Sequence, residues 1–249
     1  MLSYRKLAMR ALGRPLHTGG GINLPRPASQ RAAAFILTAA MLTTLTAPAF
    51  AGTWYIENGD ITVKAGDTEG TNKVKQGDSD FVKDEGDTII TGTSNQNTVT
   101  IETEKKDDKV EVTLKDVNID ASSRNEAAVS VTGKGDTNIE LDGDNKLQSG
   151  SGHAGLEHNK TDTSGELTIQ DNDKNGSLKA AGGQYGAGIG GAGAANDAQV
   201  KITGGKITAT GGEYGAGIGG GFKGSGDVTI SGGEIHANGG NYGAGIGGG

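Results

Sequence analysis

Residues 200–221 read "VKITGGKITATGGEYGAGIGGG", and residues 228–249 read "VTISGGEIHANGGNYGAGIGGG". The two strings share one skeleton, V-x-I, a glycine turn, I-x-A, a second glycine turn, and Y-G-A-G-I-G. Single polar residues separate the apolar ones, the alternation of a strand with one buried face. The glycine pairs fall where turns are needed. Each unit therefore holds three short strands and three turns.

The skeleton extends backward. The V-x-I position recurs as Val112/Leu114, Ile139/Leu141, Leu167/Ile169, Val200/Ile202 and Val228/Ile230, at steps of 27, 28, 33 and 28. The second position recurs as Ile119, Leu147, Leu178, Ile207 and Ile235. The third runs from Ala127–Val129 through Ala154–Leu156, Ala187–Ile189 and Ala216–Ile218 to Ala244–Ile246. Units of this size stack, each strand pairing with its equivalent in the next unit. The predicted fold is all-β, a parallel β-helix of about 28 residues per coil, right-handed by the preference of parallel crossovers. Ile89/Ile90 and Val99/Ile101 supply an irregular first coil, ahead of Ile119 and Val129/Val131.

Composition agrees. Of 249 residues 46 are glycine and none is cysteine, while aromatics make up 4% and hydrophobics 33%. A disordered chain could share these figures, but not the phase-locked apolar sets. A β-helix core is narrow and needs only Ile, Val, Leu and Ala.

Residues 1–51 stand apart as a signal peptide with an extended basic leader. Arg5, Lys6, Arg10, Arg14, Arg26 and Arg31 precede any acid, "AAAFILTAAMLTTLT" follows, and "APAFA" places Ala49 and Ala51 in A-x-A register before Gly52. The competing reading is a transmembrane anchor, for which 15 apolar residues are fewer than the roughly 20 a span needs. Residues 52–86 read as an N-terminal cap and irregular region. Trp54 covers the core, and Thr71–Gly86 forms a polar loop. Residues 87–249 form the β-helix, whose uncapped last strand implies continuation past Gly249 or pairing with another chain.

Residues 52–249 carry 17 basic and 30 acidic side chains, a net charge of −13. Such a surface disfavours nucleic acid and anionic lipid. It suits neutral glycans and divalent cations, and no membrane contact is expected once the leader is gone.

The text "VEVTLKDVNIDASSRNEAAVSVTGKGDTNIELDGDNKLQSGSGHAGLEHN", with "GELTIQDNDKNGSLKAAGGQYGAGIGG" after it, resembles the β-helical carbohydrate-binding domains of bacterial, mainly Gram-positive, surface proteins. The likeness covers residues 85–249. It implies an extracellular or cell-surface setting and polysaccharide adhesion, with calcium bound in some members.

Gly186, Gly188 and Gly191, and their equivalents, match G-x-G-x-x-G. A dinucleotide site needs a strand before this motif and a helix after it. Here strands and turns follow, so the motif is not a nucleotide loop. Strand parity instead turns Gly186, Gly188 and Gly190 outward, so that Gly188, Gly217 and Gly245 would form a bare strip for a flat sugar chain. Relief of crowding at corners is the other reading. Tyr185, Tyr214 and Tyr242 should stack in register, either as a platform for sugar rings or buried at a corner, since Tyr185 shares parity with Ala187. "DNDKNG" places Asp171, Asp173 and Asn175 at the opening positions of a calcium loop, although an Asx-rich turn reads the same and Gly182 stands where the loop's glutamate belongs. His153, His158 and His236 lack the spacing of a transition-metal site. No compact carboxylate cluster marks a glycosidase or lyase, so the expectation is a non-catalytic module. The alternatives are a purely structural stalk and, behind it, a lyase-like enzyme.

Overall fold

A computed structural model describes residues 52–194 and 196–249. The leader expectation therefore lies outside the described residues. The twenty strands in chain order begin with β1 (Thr53–Tyr55), β2 (Ile61–Ala65), β3 (Asn72–Gln76), β4 (Val82–Asp84), β5 (Thr88–Ser94), β6 (Val99–Thr103) and β7 (Lys109–Asp120). They continue with β8 (Val129–Gly133), β9 (Asp136–Asp142), β10 (Asp144–Gln148), β11 (Leu156–His158), β12 (Leu167–Gln170) and β13 (Ser177–Ala181). The last are β14 (Ile189–Gly190), β15 (Ala198–Ile202), β16 (Lys206–Thr210), β17 (Ile218–Gly219), β18 (Gly226–Ile230), β19 (Glu234–Asn238) and β20 (Ile246–Gly247). The only helical segment among the described residues is a single 3-10 turn at Ile56–Asn58.

The chain winds as a parallel β-helix. Val99, Val129, Leu156, Ile189, Ile218 and Ile246 stand one above another, at steps of 30, 27, 33, 29 and 28 residues. The first two faces share one sheet because β7 runs through both, pairing with β9 by its first half and β10 by its second. The turn between these halves is at Asp116, whose φ is +51°. In the following coil Gly143, at φ +67°, takes that place and splits the strand in two. Inward side chains form one continuous aliphatic core, from Ile56 and Ile61 through Leu114, Ile119 and Leu156 to Ile207 and Ile218.

Two alignments differ from the expected ones. Ile139 pairs with Ile169 and Thr137 with Leu167, so the expected match of Ile139 with Leu167 is displaced by two residues. Likewise Leu147 pairs with Ala180, and Asn145 with Leu178. A shift of two keeps the same face inward, so hydrophobic alternation cannot distinguish the two registers. The consequence is two polar side chains in the core. Thr137 is fully buried and its hydroxyl has no hydrogen-bond partner. Asn145 is fully engaged instead. Its Oδ1 accepts from Val117 N–H at 3.0 Å, and its Nδ2 donates to the carbonyls of Asp142 and Ser177 at 3.2 and 3.1 Å. In the first coil Val99 and Ile101 meet Val129 and Val131 as expected, but Ile90 lies under Leu114, and Ser94 under Ile119.

The N-terminal end also departs from expectation. Thr71–Gly86 is not a loop, because β3 and β4 form antiparallel pairs that extend the sheet from β2. Its buried positions are Asn72, Val74 and Asp84, and two of the three are polar, which hides the strand period. β1 and β2 pair in parallel with β5 and β6, so residues 53–65 are already part of the winding. Trp54 packs partly buried against the core. At the other end β18, β19 and β20 are paired on one side only, with Ile230 and Ile246 exposed.

Candidate functional site

The flank formed by the "GGxYGAG" turns carries the expected tyrosine ladder. The amides of Tyr185, Tyr214 and Tyr242 donate to the carbonyls of Ser151, Gln184 and Glu213, one coil below each. This main-chain ladder sets the rings in register. Tyr185 and Tyr214 stack at 5.4 Å between centroids and 13° between planes, and Tyr214 and Tyr242 at 5.0 Å and 9°. The rings stand at the surface, with Tyr185 37% and Tyr242 70% exposed. The expected corner burial does not occur, because strand parity does not carry through the turn that holds Tyr185.

Their faces, however, cover one another. A sugar ring stacks on an aromatic face, and here Tyr214 has both faces covered while Tyr185 and Tyr242 each share one with it. The ladder presents edges and hydroxyls. Phe222 supports it from the side, 5.8 Å from Tyr185 and 5.3 Å from Tyr214. Sequence reasoning missed Phe222, whose signal was an aromatic in the glycine-rich link between two coils. Gln184 and Glu213 precede their tyrosines in the turn, and Gln184 Nε2 donates to Glu213 Oε2 at 3.0 Å. The Glu213 carboxylate holds the Tyr214 hydroxyl above the ordinary tyrosine pKa.

The glycines beside the ladder are not a bare outer strip. Gly188 and Gly217 are buried. A Cβ on Gly188 would lie 2.6 Å from Thr210 N and 2.7 Å from Gly217 O. On Gly217 it would lie 2.6 Å from Gly245 O and 2.7 Å from Asn238 N, and on Gly245 2.8 Å from Ala237 O. Backbone of a second strand, from the next coil at Gly188 and Gly217 and from its own coil at Gly245, comes against these positions, and glycine is what lets it approach. The outward strip is thus an internal backbone seam.

The acidic turn after β12 brings together Asp171 and Asp173, and adds Glu140, with carboxylate oxygens within 4.8 Å of one another. Asn175 does not join them as an acceptor, since its Nδ2 donates to Asp173 at 2.8 Å. Asp171 accepts the amides of Asn175 and Gly176, at 3.1 and 3.2 Å, and Glu140 accepts from Asn172 N–H at 2.6 Å. The turn closes on itself by Asx-type hydrogen bonds. Calcium would have to draw Asp171 away from two backbone amides.

A smaller cleft of about 170 Å³ is lined by Thr98, Glu126, Ser130, His153 and Glu157. Glu157 is buried, with His153 Nδ1 2.8 Å from its Oε2, and with Oε1 accepting from Asn159 at 3.0 Å. Nothing in the spacing had joined Glu126 to this pair, because they meet only through the coil stacking. His158 is fully inside, its ring between the carbonyls of Val131 and Gly165, and His236 faces Glu234 at 3.1 Å. Another cleft, of about 760 Å³, lies by Lys64, Lys73, Glu102 and Lys109. Its charges pair with each other, Lys64 with Glu102 and Lys109 with Glu69.

A family model described as a β-helix repeat matches residues 200–222 and 228–249. No curated protein and no solved structure matches the chain. The two matched segments lie in the coils that carry Tyr214 and Tyr242, and the chain is similar there to β-helix repeat proteins, a fold consistent with an adhesin or a structural repeat.

Proposed function

We propose that the protein is an exported, non-catalytic surface module that binds polysaccharide along the tyrosine flank. The observation that carries this reading is the ladder itself. Three tyrosines, Tyr185 and Tyr242 exposed and Tyr214 half-buried between them, repeat at 5.4 and 5.0 Å, about one sugar ring apart, with a parallel row of amide and carboxylate groups at Gln184 and Glu213. Hydroxyls, amides and carboxylates in a line are the groups that hydrogen-bond to a polyol chain. The acidic charge of residues 52–249 favours a neutral polymer over an anionic one. The basic leader and A-x-A site support export. A calcium ion would take Glu140, Asp171 and Asp173 as ligands, its oxygens being of the right chemistry, and would stiffen the turn next to β13.

A second reading is a structural stalk without glycan affinity. The mutual covering of the ring faces and the buried glycine seam favour it, because both join coil to coil. Retention on insoluble neutral polysaccharides, in calcium and in chelator, separates the readings. Binding that Tyr242→Ala and Gln184→Ala weaken, with the fold intact, supports adhesion. No retention on any polymer leaves the stalk. Formation of unsaturated or reducing ends would overturn the non-catalytic part and direct attention to Glu126 and Glu157.

A further inference from the structure

Asp84 ends β4 and is 2% exposed. Its carboxylate accepts three hydrogen bonds. Gly52 N–H reaches Oδ1 at 2.9 Å, while the Trp54 indole N–H and the Thr88 hydroxyl reach Oδ2 at 2.9 and 3.1 Å. The Thr88 hydroxyl in turn accepts from Asn72 Nδ2 at 2.8 Å. Among the described residues no lysine, arginine or histidine pairs with Asp84. Lys83 beside it pairs with Glu85, and Lys73, opposite Lys83 in the sheet, pairs with Asp67. A carboxylate withdrawn from water is costly without a positive partner.

The atom touching Oδ1 is the backbone nitrogen of Gly52, and Gly52 directly follows the A-x-A pair Ala49 and Ala51. Cleavage there would turn that nitrogen from an amide into an ammonium. Only glycine fits. A Cβ on residue 52 would lie 2.5 Å from Trp54 Nε1 and 2.8 Å from Asp84 Oδ2. The Gly52 carbonyl is held as well, accepting Ile89 N–H at 3.0 Å.

We propose that Asp84 is the receiving site for the α-ammonium group of Gly52, created when the leader is removed, so that processing itself completes the first coil. This rests on the export reading above. In the cleavage, water attacks the Ala51 carbonyl carbon and the C–N bond breaks. The oxygen stays on Ala51 as a carboxylate, and the two protons of the water leave Gly52 with –NH3+. A leader peptidase of the exporting cell supplies the catalysis. The hydrogen bond from a neutral amide to the Asp84 carboxylate then becomes a pairing of opposite charges, which supplies the positive partner the withdrawn carboxylate lacks.

The test uses the full chain expressed in an exporting bacterium, with the N-terminus of the exported protein sequenced. A start at Gly52 is expected, and any other start overturns the processing site. A second form carries one extra Ala between Ala51 and Gly52, so that its mature chain begins Ala-Gly52 and keeps only an amide at the site. Trp54 is the only tryptophan, so its emission reports the melting of this end. The extension should lower that midpoint by about 2–4 °C, and should have no effect in the Asp84→Asn background. A correct start with equal midpoints sinks the ammonium site while leaving export intact. Should Asp84→Asn fail to accumulate, the α-amine of the unextended form, 13C-methylated, should titrate above its ordinary pKa of about 8. A value at or below that overturns the pairing.

Discussion

Thr137 and Asn145 are both inward residues of one coil, on β9 and β10, and the core treats them oppositely. The Thr137 hydroxyl is buried and unpartnered, so it brings a desolvation penalty and no bond. Thr137→Val should stabilise the protein by about 1 kcal/mol, read as a rise in thermal midpoint. The Asn145 amide joins Val117 below to Ser177 above. Asn145→Leu would orphan those two groups, and a loss of about 2–6 kcal/mol is expected, at 1–3 for each buried group left unpaired. Gly188→Ala makes the third test at this scale. Its methyl would meet backbone rather than a movable side chain, and a loss of about 1–3 kcal/mol is expected. Neither Thr137 nor Asn145 was legible as a core residue, because the alternation fixes the face and leaves the register free by any even number of residues.

At the scale of the element, the turn is where sequence parity fails. The strands were readable because their inward residues are uniformly aliphatic, Val200 and Ile202 above Leu167 and Ile169. The tyrosines sit within a turn, so counting by twos from Ile189 gave the wrong side. The glycines of the third strand misled for a related reason. Their parity is outward, but a neighbouring backbone occupies the outside. β3 escaped notice because Asn72 and Asp84 are buried through hydrogen bonds rather than hydrophobicity. As for the ladder, Tyr214 shares both of its faces and Tyr242 only one. Each stacked pair contributes about 0.5–1.5 kcal/mol, so Tyr214→Ala should destabilise about twice as much as Tyr242→Ala. Equal losses in urea melts would mean that the stacking contributes little.

For the whole molecule, charge and winding act together. Asp67, Asp120, Asp197 and Glu234 are held below the usual carboxylate range, by Lys73, by the Ser122 hydroxyl and amide, by the Ser225 amide and hydroxyl, and by His236 with Lys206. A depressed carboxylate stabilises the fold above its unfolded pKa. That contribution is lost as pH falls through the lower folded value. The midpoint should therefore decline on acidification below about pH 4. All four groups are at the surface, so the decline should be modest and smaller in high salt. Dominance of charge repulsion instead would make the same titration raise the midpoint, as protonation relieves an excess of 13 negative charges in residues 52–249.

The glycine seam has a further consequence, for how such a chain can change in length. The coils bearing Tyr185, Tyr214 and Tyr242 meet through backbone at the seam and through like residues elsewhere, Ile207 on Ile235 and Ile189 on Ile218. Each of these coils presents on its upper side what the next requires on its lower side. In-frame duplication of one unit would copy a part that already fits itself. The coil holding Thr137 and Asn145 has no such freedom, for its polar groups match one neighbour only. Growth and loss by whole units should therefore be tolerated between Gly182 and Gly249, and resisted below.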